Sequence, residues 1–124
     1  MHELSVCQNL LREVVRVAAE QGAAEVTKIV VAVGAMSGVE PPLLARAFTI
    51  ARAGTIAERA TLYVEDVPLV VWCDSCGVES TVAVNALLCG RCGTWRIELR
   101  SGRELLLKRI ELTPAEDALA VAGG

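Results

Sequence analysis

The chain has 124 residues, 53% of them apolar, and its twelve Lys and Arg against fifteen Asp and Glu leave a net charge of −3. That length fits one compact domain, or two very small ones sharing a core. The acidic balance and the presence of only four aromatics (Phe48, Tyr63, Trp72, Trp95) argue against a nucleic-acid binder held by phosphate contacts or base stacking. The longest stretch without a polar side chain is the eight residues Ile29 to Met36, whereas a membrane helix needs roughly 20. No basic segment precedes an apolar one, so neither a span nor a secretory signal is expected and the chain reads as cytoplasmic. With a single histidine, any catalytic scheme that needs two is excluded.

Leu4 to about Gln21 carries apolar residues at Leu4, Cys7, Leu11, Val14 and Ala18, the spacing of a helix with one buried stripe, and Gly22 can end it. Val26 to Val33 is short and β-branched, hence a strand. The run from Gly34 to Gly38 breaks it, and Pro41 and Pro42 suit the first turn of a second helix, where a missing N–H costs nothing. That helix is expected to run to about Ala53, with Leu44, Ala47, Phe48 and Ala51 inward. Ala60 to Val67 alternates as a second strand. From Leu69 to about Arg100 only short β-prone pieces appear (Val70 to Trp72, Thr81 to Val84, Trp95 to Leu99), and Glu104 to Leu112 reads as a final strand.

The expected fold class is α+β: two helices on a three-stranded sheet, residues 1–68 and 103–124, with an inserted four-cysteine, zinc-ribbon-like module at 69–102 and a tail from Thr113.

Five cysteines are present, Cys7 alone and then Cys73, Cys76, Cys89 and Cys92 as two C-x-x-C pairs twelve residues apart. An odd count without an export signal does not resemble a disulfide framework. Each pair sets two thiolates on one tight turn, and two such turns supply the four sulfurs of a tetrahedral zinc site. Gly77 and Gly93 follow the pairs and let the backbone turn so that N–H groups point at the sulfurs. Four protein ligands leave no open position, so the ion is structural. A rubredoxin-like iron site shares this geometry. A redox dithiol needs only one pair and a positive surround, and here Arg91 and Arg96 are offset by Asp74 and Glu79. Cys7 sits on the apolar stripe, where a free cysteine is commonly a small buried hydrophobe.

Met1-His2-Glu3 is the second chemical signal. The amine of Met1, the amide nitrogen of His2 and its imidazole Nδ1 form fused five- and six-membered chelate rings around one ion. Three nitrogens in a plane suit Ni²⁺ or Cu²⁺, with the fourth position left for Glu3 or another group. Glu40 precedes Pro41 at a helix start, where a carboxylate is also favoured by the helix dipole.

Met1 to Ser5, Gly34 to Glu40, the two C-x-x-C pairs and Leu107 to Glu111 together resemble the HypA/HybF hydrogenase-maturation family, and the likeness runs from Met1 to about Leu112. The resemblance implies a nickel metallochaperone, a carrier and not an enzyme, that helps insert nickel into the large subunit of [NiFe] hydrogenase together with the GTPase HypB. It implies nickel as cargo at Met1, His2 and Glu3, with Glu40 as a further candidate near that site. It also implies structural zinc at Cys73, Cys76, Cys89 and Cys92. Expected partners are that GTPase and that subunit, with no nucleic acid and no membrane, the chain itself being a monomer or a weak homodimer. Family knuckles often carry Pro after a cysteine, where this chain has Asp74 and Gly90. The competing function is a zinc-ribbon interaction or transcription-accessory module. Low basicity counts against it, and it gives no reason for Met-His-Glu at the start.

Overall fold

A computed structural model describes residues 2–115. The elements follow the order α1 (His2–Glu20), β1 (Ala23–Gly34), α2 (Pro41–Ala51), β2 (Thr61–Val67), β3 (Val70–Cys73), β4 (Val78–Thr81), β5 (Glu98–Ser101) and β6 (Leu105–Pro114). They form two three-stranded sheets, β2-β1-β6 and β4-β3-β5. Two compact units result: one takes in the chain up to Val31, Glu40–Val64 and Leu107 onward, the other Ala32–Val39 and Glu65–Leu106. Among the described residues no helix is long and apolar enough to cross a membrane.

In the first unit, α1 buries Cys7, Leu11, Val14 and Ala18 as their spacing requires. The stripe continues backwards differently from expectation. Glu3 occupies the buried position one turn before Cys7, and Leu4 is 39% exposed. His2, expected before the helix, is its first residue. Central position explains the composition of β1: residues Ile29 to Val31 are all buried, as befits a strand covered on both faces. Its neighbours are fixed by Thr27, whose hydroxyl donates to the Glu111 carbonyl (3.2 Å), and by Lys28, whose Nζ lies 4.5 Å from the centre of the Tyr63 ring. α2 begins with two prolines at its first positions and buries Leu44, Ala47 and Phe48. Cys7, Leu11, Val14, Ile29, Val31, Leu44, Phe48 and Leu62 surround one small apolar space, so both helices and two strands share a core.

In the second unit, β3 pairs antiparallel with β4 and with β5, and Cys73 opposite Val78 makes the first cysteine turn the loop of a hairpin. The expected short strands at Thr81 to Val84 and Trp95 to Leu99 are displaced to Val78–Thr81 and Glu98–Ser101. Hairpin closure on the cysteine turn sets this register, overriding local β propensity. Thr113 and Pro114, expected in the tail, are the last residues of β6. An edge strand tolerates the proline, and the Ala115 N–H beyond it donates to the Gly22 carbonyl at 2.9 Å. The remaining tail, 116–124, lies outside the described residues.

One backbone approach in this unit admits no side chain. Gly34 N–H donates to the Glu104 carbonyl and Met36 N–H to the Gly102 carbonyl, both at 2.7 Å. A Cβ on Gly34 would lie 2.2 Å from the Gly102 oxygen, which is backbone and cannot swing aside. Gly34→Ala is therefore expected to destabilise the protein by about 1–3 kcal/mol, read as a lower urea midpoint; an unchanged midpoint would rule out so close an approach.

Candidate metal centres

Each cysteine pair is built the same way. In the first, Gly77 N–H donates to the Cys73 carbonyl (2.8 Å) and Cys76 N–H to Cys73 Sγ (3.4 Å). In the second, Gly93 N–H donates to the Cys89 carbonyl (2.9 Å), and Arg91 and Cys92 N–H groups donate to Cys89 Sγ (3.3 and 3.4 Å). Gly77 and Gly93 have φ of 64° and 76°, the left-handed region that closes each turn. The repeated turn brings all four sulfurs within 4.8 Å of one another.

Cys73 Sγ and Cys92 Sγ are 3.7 Å apart, and Cys89 Sγ and Cys76 Sγ 3.9 Å. These are not disulfide distances. Four sulfurs held about 2.3 Å from one central ion stand about 3.8 Å apart, so the spacing is that of a tetrahedral thiolate shell.

Electrostatics support the same conclusion. Backbone N–H groups of Cys92 and Arg91 pull the Cys89 thiol down to about 6. Cys76 is pushed up to about 12, first by its hydrogen bond with the Cys92 sulfur and then by burial. Four sulfurs this close cannot all ionise without a cation among them, and a divalent ion removes that conflict. The donor set fits a structural zinc, with every position taken by protein.

Neighbours tie the two turns down. Trp72 Nε1 donates to Asp74 Oδ1 at 2.7 Å, and the Arg100 guanidinium lies 5.0 Å from the Trp72 ring centre. Gly90 N–H donates to Ser80 Oγ at 3.1 Å, a bond that proline at this position would forfeit. Both departures from the family pattern thus have partners. Trp72, Ser80 and Arg100 have no spacing signature in the sequence, and only pairing across the sheet reveals them.

The N-terminal candidates are arranged differently. Met1 lies outside the described residues. His2 is exposed at the start of α1, whereas Glu3 is buried beside it, with Oε2 3.5 Å from His2 Nε2. Glu40, at the N-cap of α2, turns its backbone N–H to the same Glu3 oxygen at 3.5 Å. The structure therefore brings His2, Glu3 and the main chain of Glu40 together. Among the described residues, though, only the four cysteines form a group of three or more His, Cys, Asp or Glu side chains ready to hold one ion. Cys7 faces the apolar core, and burial pushes its thiol up to about 11, so it stays protonated there.

A family model described as hydrogenase/urease nickel incorporation, metallochaperone, HypA, matches residues 1–112. A protein of Nitrosospira multiformis, named hydrogenase maturation factor HypA, is 46% identical over 112 residues, covering 90% of this chain and 97% of that one. The protein of the same name from Aquifex aeolicus is 43% identical over the same length and shares. The solution structure of the nickel metallochaperone HypA from Helicobacter pylori has the same fold, with a TM-score of 0.66 at 24% identity, covering 92% of this chain and 99% of that one.

Cys92→Ala opens the sulfur shell at its exposed corner. It is expected to abolish stoichiometric zinc and to make 69–102 sensitive to protease, while far-UV circular dichroism keeps the helical signal of α1 and α2. Unchanged zinc content would disprove four-thiolate ligation.

Proposed function

Because the chain belongs to the HypA family of nickel-incorporation metallochaperones, we propose that it carries nickel at its amino terminus and delivers it for maturation of a [NiFe] hydrogenase. The observation that supports this reading is the contrast between its two donor sets. One is closed and made of four sulfurs. The other begins at an exposed His2, 58% accessible at the first turn of α1, with Glu3 beside it.

In this reading the Met1 amine, the His2 amide nitrogen and His2 Nδ1 hold the nickel in a plane, a geometry that Ni²⁺ accepts with deprotonated nitrogen donors. Glu3 or another group takes the fourth place, with Glu40 alongside. The four cysteines hold zinc and keep the inserted module at 69–102 folded. Delivery follows from incompleteness: an ion with a replaceable fourth ligand can be attacked by a partner's donor without first leaving the carrier. The recipients in this scheme are a HypB-type GTPase and the hydrogenase large subunit, met in the cytoplasm, and the chain acts as a carrier with no catalytic residue.

Two variants test the proposal. His2→Ala is expected to remove nickel binding while zinc content and melting temperature stay as they were, since His2 is exposed and supports no core. A large fall in melting temperature would make the histidine structural. The second test moves the amine. A three-residue leader before Met1 takes it out of chelating reach, so nickel binding at this site should collapse with zinc retained. A one-residue leader lets amine, two amides and imidazole fill all four positions of a square plane, and should bind nickel at least as tightly yet transfer it poorly to a chelator. Equal affinity for leaders of zero, one and three residues would refute the terminal chelate.

A further inference from the structure

The two helices leave a feature that neither candidate metal site uses. They lie side by side in the same direction, since Glu40 at the head of α2 meets Glu3 at the head of α1. Between them, open to water, runs a groove of about 460 Å³ lined by Gln8, Leu11, Arg12 and Val15 of α1 and by Ala51 and Thr55. Its α1 wall has helical spacing: Leu4, Gln8, Leu11 and Val15 follow at intervals of four, three and four. On α2, Leu43, Ala47 and Ile50 follow at four and three, beside Ala51.

Both walls keep aliphatic side chains in water. Val15 is 41% and Ile50 69% exposed, and Leu4 and Leu43 are exposed with them. Apolar residues scattered singly over a surface need no explanation, but a stripe along both sides of one groove marks an interaction site. Charge narrows the partner. Among the described residues, Arg12 is the only charged one lining the groove, and its guanidinium meets a neutral group, the Asn9 side chain, at 2.5 Å. Arg46 stands exposed one turn before Ile50. In a chain of net charge −3, this border is cationic.

The walls also select the form of the partner. Two helices offer an extended peptide no strand edge to pair with, whereas a helix satisfies its own N–H and C=O groups and brings only side chains. From Leu4 to Val15 the wall runs about 16 Å, three turns.

We propose that the groove between α1 and α2 docks an amphipathic helix of a partner protein, with leucine-like anchors along one face and carboxylates at its border. Leu4 adjoins Glu3, so a helix seated there ends beside the amino terminus. That link to nickel delivery rests on the function proposed above; the docking itself does not.

The probe is a synthetic helical peptide of about 15 residues, alanine and glutamate with leucines at intervals of four, three and four. Added to the zinc-loaded protein, it is expected to bind saturably and to shift the amide signals of Gln8, Val15, Ala47, Ile50 and Ala51 in ¹H–¹⁵N spectra. Val15→Lys and Ile50→Lys replace exposed side chains, so zinc content, nickel affinity and melting temperature should stay as they were. Each should nevertheless weaken peptide binding by at least about tenfold. Arg12→Glu should weaken this peptide and strengthen its counterpart with lysine in place of glutamate. Absence of saturable binding, shifts that map elsewhere, unchanged affinity in both lysine variants, or indifference of both peptides to Arg12→Glu would overturn the proposal. So would a peptide-free dimer in sedimentation that Ile50→Lys dissolves, because a second copy would then fill the groove. Absence of nickel binding by the unsubstituted chain would instead strike the proposed function and leave the docking groove standing.

Discussion

Burial of the stripe Cys7, Leu11, Val14 and Ala18 fixes the rotation of α1 about its own axis, and the placement of the first residues follows from it. Turning the helix enough to bring Glu3 into water would expose several of these side chains, each worth about 1.5–3 kcal/mol when a large one is fully buried. Taking a carboxylate out of water is unfavourable unless partners offset it. Here the Glu40 N–H lies against Glu3, so part of that cost is recovered and the apolar stripe prevails. The second helix contributes in a particular way. Two prolines start it without N–H groups, and the backbone donor next to them, on Glu40, is the one the carboxylate meets.

The second unit has a different balance. Leu69, Val71, Cys73 and Cys89 are buried around its three short strands, a small apolar contribution for a segment of this length. Such a segment cannot hold itself by burial alone, and four thiolates around a divalent ion supply what the core lacks. Repetition of one turn does the positioning. Glycine closes each knuckle, and the N–H of the second cysteine caps the first sulfur, so the four sulfurs face one point.

Much of this was legible before the structure, for identifiable reasons. Helical spacing depends on one element and its core, so Cys7 to Ala18 could be read directly, and the C-x-x-C turns are local in sequence. The stripe was misjudged only at its end, where three residues back from Cys7 gives Leu4 and four gives Glu3. Apolarity favoured Leu4; the helix geometry and a partner on another element favoured Glu3. Short strands were misplaced because their limits depend on pairing. Cys73 opposite Val78 pulls β4 forward from where β-branched residues alone would put it. Ser80, Trp72 and Arg100 could not be found at all, since a serine hydroxyl meeting Gly90, or a guanidinium over an indole, leaves no periodic trace. His2 and Glu3 are suggested by their chemistry and Glu40 by the family resemblance, but the role of the Glu40 main chain depends on how α2 starts.

Holding a metal and handing one over impose opposite demands on a protein. At the sulfur centre folding and binding are one event: loss of the ion returns four like-charged ligands to close quarters, and the strands around them lose their main support. A carrier whose cargo were held in that way would unfold each time it delivered. The proposed terminal site avoids the linkage. His2 is exposed, and the buried stripe behind it is packed by apolar side chains that need no ion. Binding there still adds stability by mass action, in proportion to the logarithm of ligand over dissociation constant, yet the fold does not depend on it. Cargo affinity can then be set by the few groups around His2, and above all by what occupies the fourth position, without any change in the core that holds α1 in place.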